Sequence, residues 1–251
     1  MAVTLRNSNK NYGAIEIFIP LQELRSALEK VRKLLTKGLD SIIFAPESYK
    51  LTDEFHREFP EAKNILSAGH AYDVTTNIFD KVPQAFLENQ PNDGDEYIQM
   101  YGRSGNARVY RYVKRKYIEN KTNLEKYKVI LPKSNGSGVL GEVLSMPLVG
   151  APLIGTTQTF ITIGAFNTRE EAESALKYIK TKFARTMLGV LKITQDNKKA
   201  VWKYVPLQDF TENSDIDWSQ SIADIDRQLY QKYQLTSQEI DFIESHVKAM
   251  T

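Results

Sequence analysis

YKVILPKSNGSGVLG, residues 127–141, decides how this fold is read. Val129, Ile130 and Leu131 form a short apolar, β-branched run that Pro132 stops, the pattern of a buried strand. A polar loop carrying Lys133, Ser134 and Asn135 follows. Gly136, Gly138 and Gly141 then spell G-x-G-x-x-G, the spacing of a dinucleotide-binding turn. Such a turn must open a long helix and meet an acidic residue about 20 positions on. Here Pro147 and Pro152 interrupt the chain, and no acid lies between Glu142 and Glu170. The glycines instead fit a flexible hairpin, or a loop pressed closely against another backbone.

Downstream, residues 143–158 read as apolar but irregular, and residues 159–166 (TFITIGAF) as a strand. Thr168 and Glu171 form a capping box that starts one long helix over residues 168–190. Ala172, Ala175, Leu176, Ile179, Phe183, Met187 and Val190 make its apolar stripe. A basic turn then leads into a strand ending near Trp202. The tail is acidic and helical, with helices over residues 221–233 and from Thr236, where a second capping box (Thr236, Glu239) stands. Upstream, residues 14–19 read as a strand, and Pro20 opens a helix that Gly38 ends, with Leu21, Leu24, Leu28, Val31, Leu34 and Leu35 at helical spacing. A strand over residues 40–45 would complete a parallel crossover. Residues 52–59 suggest a short helix and residues 96–101 a strand. Strands and helices in this order predict an α+β fold: mixed β-sheets with flanking helices, divided into an α/β part (1–100) and a second part (101–251).

The net charge of +2 hides a block structure. Residues 101–141 carry 10 Lys/Arg against 2 Asp/Glu, and residues 177–203 carry 8 against 1. The last 48 residues, 204–251, carry 3 against 9. Two concentrated basic blocks are the footprint of a polyanion-binding face, or of solvated faces paired with the acidic segments. Residues 107–118, ARVYRYVKRKYI, alternate as a strand with cations on both faces. Arginine forks suit phosphate and guanine edges, and tyrosines stack; the alternative is an edge strand guarded by charge. Asp93, Asp95 and Glu96 lie in a turn without calcium-loop spacing. No apolar run nears the ~20 residues of a membrane span. MAVTLRNSNKNYG lacks the apolar core of a secretory signal, and there is no cysteine, which together lead to an expected cytoplasmic location. Only His56, His70 and His246 could serve as imidazole ligands, and they lie far apart, so no metal is expected.

From Tyr127 onward the chain resembles one family. The segments are YKVILPKSNGSG, TFITIGAFNTREEAESALKYIKTKFARTMLGVLKITQ, VWKYVPLQDF and QLYQKYQLTSQEIDFIESHVKAM. In this order and spacing they resemble the C-terminal target-recognition domain of bacterial type II restriction–modification enzymes. Those enzymes join an adenine-specific DNA methyltransferase to an endonuclease. Upstream, Thr76-Asn77 and Phe79 fit the family, but its Pro-Phe-Gly element is missing. No Asn/Asp-Pro-Pro-Tyr motif and no nuclease signature occurs, so the chain is expected to be an excised specificity domain or a separate specificity subunit. The resemblance implies double-stranded DNA and a methyltransferase/endonuclease catalytic domain as partners. S-adenosylmethionine and magnesium would be held only by that catalytic part. Expected DNA contacts are Arg103, Arg108, Arg111, Lys114, Arg115, Lys133, Ser134, Asn135, Lys182, Arg185, Lys192 and Gln195. Among these, Arg111, Asn135 and Gln195 suit base readout, because each can make bidentate contacts. Two other classes remain open: a nuclease using Asp93, Asp95 and Glu96, and a protein-interaction module with an acidic docking tail.

Overall fold

The structure, a computed structural model, describes residues 19–250. The strand expected at residues 14–19 lies, but for Ile19, outside them. The fold is α+β. Its first sheet is antiparallel throughout and runs in the order β1 (Ile43–Phe44), β9 (Phe160–Phe166), β6 (Tyr127–Pro132), β7 (Leu148–Gly150). Alternation decides what each face of β6 does. Val129 and Leu131 face a helical layer and are fully buried, while Lys128 and Ile130 face the other way.

That layer begins with α1 (Gln22–Leu34), whose Leu24, Ala27, Leu28 and Val31 form one buried stripe. The helix stops before Gly38. Gly38 instead pairs with Pro206, and a Cβ there would strike the Lys203 carbonyl, so its role is close approach rather than helix termination. The long helix expected over residues 168–190 is two helices, α5 (Arg169–Lys180) and α6 (Lys182–Gly189). Thr181 is extended between them, and its hydroxyl caps α6 by accepting from Ala184 N at 3.1 Å. The buried Asp226 carboxylate accepts from the amides of Lys182 (3.0 Å) and Phe183 (2.9 Å), satisfying two more orphan donors. The apolar stripe continues across this break into α6. Asp226 lies on α7 (Ile222–Lys232), and α8 (Ser237–His246) follows with its Thr236/Glu239 capping box formed. Glu239 also takes Ser26 Oγ (2.6 Å) and Lys30 Nζ (2.8 Å) from α1. Residues 199–202, expected as strand, are a 3₁₀ turn that buries Trp202.

The second sheet is β4 (Ala107–Lys114), β3 (Tyr97–Ser104), β8 (Ile154–Thr156). β3 and β4 form a hairpin closed between Ser104 and Ala107, with Gly105 at positive φ in the turn. β8 lies parallel to β3, so the parallel pair is here; β1 pairs antiparallel with β9, and residues 143–158, expected to be irregular, contribute the two short strands β7 and β8. A separate core underlies this sheet, including Tyr49, Phe55, Val74, Ile78, Phe86, Ile98, Met100, Val113 and Tyr117. It also contains a two-strand ribbon, β2 (Lys50–Leu51) with β5 (Ile118–Glu119), and three short helices: α2 (Asp53–Glu58), α3 (Ala62–Ile65) and α4 (Ile78–Lys81).

The two cores do not divide at residue 100, which falls inside β3. Helix α1 belongs with residues 127–250, because its stripe packs on the first sheet and on α8. A small cluster of Tyr101, Ile130 and Phe160 joins the two sheets, with the Tyr101 and Phe160 rings stacked at 4.7 Å. Beside it, Lys128 is fully buried and donates to the carbonyls of Leu124 (3.2 Å) and Ile154 (2.9 Å). Burial without a carboxylate partner pushes its ammonium down to about 7. Among the described residues, no helix is long and apolar enough to cross a membrane.

Candidate nucleic-acid interface

The expected contact residues separate into three groups, and local chain geometry accounts for each. Arg103 and Arg108 stand opposite each other on β3 and β4, next to the hairpin turn. Pro132 ends β6 beside them and releases the loop that carries Lys133 and Ser134. These residues line one open groove of about 380 Å³, together with Thr76, Asn106 and Thr159. Four stretches of the sequence, at Thr76, residues 103–108, residues 132–134 and Thr159, thus meet where the two sheets join. The Arg108 guanidinium lies 5.7 Å from the Phe160 ring centroid and donates weakly to Ser145 O at 3.4 Å. Arg103 makes one long contact, with Asn106 Oδ1 at 3.5 Å. Lys133 has no side-chain hydrogen bond or ion pair among the described residues.

Backbone pairing continues this surface. Asn135 N donates to Gln195 O (2.7 Å) and Asn197 N to Lys133 O (2.8 Å), which sets Gln195 exposed beside Ser134. A second groove of about 410 Å³ shares Lys133 and is lined by Lys198 and Lys199, with Glu47 and Asp196 as its acids. The sequence reading missed Thr76, Asn106, Thr159, Lys198 and Lys199 as lining residues. Thr76 carried a signal in its Thr-Asn pair, and the two lysines in the second basic block.

The second group is cationic but neutralised. Arg111 pairs with Glu88 (2.8 Å), Lys114 with Asp95 and, at 3.7 Å, Asp93, and Arg115 with Glu125 (3.0 Å). Lys182 is held by the Glu244 carboxylate (2.5 Å) and by its carbonyl (3.1 Å). Much of the first basic block is therefore the paired face that charge alone left open, and residues 115–117 leave the strand as a 3₁₀ turn. Asp93 accepts from Asp95 N at 3.1 Å and from the Tyr97 hydroxyl at 2.9 Å, which makes this segment a braced turn. Among the described residues, no group of three or more His, Asp or Glu is placed to hold a metal ion.

The third group is internal, so their expected role as DNA contacts is corrected. Arg185 is 2% exposed and donates to the carbonyls of Lys180 (3.1 Å), Gly141 (2.9 Å) and Lys248. Asn135 is buried: its amide donates to Val143 O (2.9 Å) and its carbonyl accepts from Ser145 N (2.5 Å). Lys192, with a side chain 3% exposed, pairs with Glu142 and donates to Asn135 O (2.9 Å) and Thr194 O (3.0 Å). Glu142 also accepts from the amides of Ser137 (2.8 Å) and Gly138 (3.2 Å). Burial alone would raise the Glu142 carboxyl, but the Lys192 ammonium and the two amides outweigh it and hold it below the usual range. Asn135 and Lys192 are therefore the frame of loop 133–146, and they fix where Lys133, Ser134 and Gln195 stand. A Cβ on Gly138 would lie 2.6 Å from the Ile193 carbonyl carbon, so this glycine permits the close backbone approach its spacing suggested.

No family model matches the sequence, and no curated protein gives a significant match.

Proposed function

We propose that this chain is the DNA-recognition module of a bacterial restriction–modification enzyme and that its groove faces a duplex. One observation carries the reading. Arg103, Arg108 and Lys133, drawn together from separate segments, lack carboxylate partners among the described residues, whereas Arg111, Lys114, Arg115 and Lys182 are neutralised. A cation left uncompensated at a surface is available to displace phosphate counterions, and a paired one is far less so. The resemblance from Tyr127 onward supports the same assignment. On this reading Arg103, Arg108, Lys133 and Lys199 hold phosphates, while Lys198 is engaged by Asp196 at 3.2 Å. Ser134 and Gln195 are the exposed polar groups at the tip that can reach base edges.

The module would work in the cytoplasm beside a methyltransferase/endonuclease catalytic domain. That domain would supply S-adenosylmethionine and magnesium chemistry and flip the target adenine. Fluorescence anisotropy of a labelled duplex across a salt series tests the proposal. Four phosphate contacts predict a log–log slope of about −3.6. Undetectable affinity at low salt would favour a protein-interaction module, and magnesium-dependent cleavage by the purified chain would favour a nuclease.

A further inference from the structure

The frame built by Asn135, Glu142 and Lys192 presents something besides cations. Ile193 is 82% exposed, Met146 71% and Val139 66%, and they are the three most exposed large apolar side chains among the described residues. All three stand on this one platform. Val139 follows Gly138, whose backbone packs on Ile193 and Thr194. Met146 follows Ser145, whose amide is held by Asn135 and whose carbonyl receives Arg108. Scattered exposed aliphatics need no explanation, but three whose backbones are tied to one frame do. The bracing is unusually complete: a buried ion pair, two amides on Glu142, and both ends of the Asn135 amide are committed to holding the tips outward.

Resting on the DNA-binding reading, we propose that Ile193 and Val139, assisted by Met146, are an aliphatic wedge. The wedge inserts between adjacent base pairs of the bound duplex and unstacks them. Charge complementarity selects this occupant, since Arg108, which donates to the carbonyl preceding Met146, and Lys133, at the start of the same loop, would bring the phosphate backbone to it. Aliphatic wedges of this size open flexible base steps when cations hold the backbone on either side. A rigid platform suits the task, because a floppy loop would lose the ordering entropy at the moment of insertion.

The test uses the full chain and a duplex with 2-aminopurine placed at TA steps. Anisotropy reports binding, and 2-aminopurine fluorescence reports unstacking in the same sample. We expect fluorescence to rise about twofold at saturation. Ile193→Ser, and independently Val139→Ser, should lose the rise and weaken binding about tenfold at unchanged salt slope. Both positions are exposed, so neither change removes packing from the core. Binding by the natural sequence without any fluorescence rise would overturn the wedge and assign the apolar tips to a protein surface. Retention of the rise in both serine variants would overturn it equally. An absence of anisotropy change would instead defeat the DNA-binding reading, and the wedge with it.

Discussion

Replacing Glu142 by alanine tests whether the loop at the groove is framed as described. The carboxylate is 15% exposed and faces a Lys192 side chain that is 3% exposed. Its removal leaves a buried ammonium with only the carbonyls of Asn135 and Thr194, and it frees the amides of Ser137 and Gly138. Breaking one side of a buried pair typically costs about 3–5 kcal/mol. Water can reach the partly open Glu142 side of the site, so the lower end, about 3 kcal/mol, applies. In urea unfolding, with a slope of about 3 kcal/mol/M for a chain of this size, the midpoint should fall by about 1 M. Lys192→Met should cost a similar amount. The double variant Glu142→Leu/Lys192→Met should cost clearly less than the two single changes combined, because both charges leave together. The sign with pH follows from the depressed carboxyl. The pair stabilises fully above the unfolded value of 4.5 and is lost as pH falls through the lower folded value, a loss that Glu142→Ala should not show. A midpoint shift under about 0.2 M, or additive costs in the double variant, would refute the frame.

Other expectations follow from single sites. Lys128 titrates near 7 when folded and at 10.5 when unfolded, so the unfolded chain binds more protons between those values; stability should rise with pH across that window, and Lys128→Met should flatten the rise in pH-dependent urea melts. Gly38→Ala forces a methyl against the Lys203 carbonyl and should cost about 2 kcal/mol or more by the same melts, although the backbone there is not left-handed. Arg185→Ala removes a buried guanidinium that donates to the carbonyls of Gly141, Lys180 and Lys248 and should cost about 3 kcal/mol while leaving the salt slope of duplex binding unchanged.

Periodicity and capping made much of the fold legible. The α1 stripe, the Thr236/Glu239 capping box, the Thr168 hydroxyl cap and the buried β6 run stand where spacing placed them, because each depends only on neighbours in sequence. The Glu171 carboxylate accepts from Asn167 N and so does not close a box on Thr168. The break at Thr181 was hidden, since the stripe runs on unbroken from Ile179 to Phe183 and the cause, the Asp226 carboxylate, sits 44 residues away from Lys182. Gly38 misled for a related reason: a glycine needed for close approach to Lys203 has the same local signature as a helix stop. The candidate site was legible in residue type but not in function. A cation's availability depends on what it faces, and nothing in ARVYRYVKRKYI announces Glu88, Asp95 and Glu125 as partners. Similarly, Asn135 and Lys192 have side chains suited to DNA, and only their burial shows that they brace the loop instead.

The most direct measurement compares two sets of alanine variants in duplex binding across a salt series. Arg103, Arg108 and Lys133 line the groove, while Arg111 and Arg115 are engaged by Glu88 and Glu125. Changing the first three to alanine should make the log–log slope shallower by about 2.7, at about 0.9 per lost phosphate contact. Changing Arg111 and Arg115 should leave it nearly where it was. A slope that flattens with Arg111 and Arg115 but survives loss of the groove cations would contradict the assignment of this groove as the DNA-binding face.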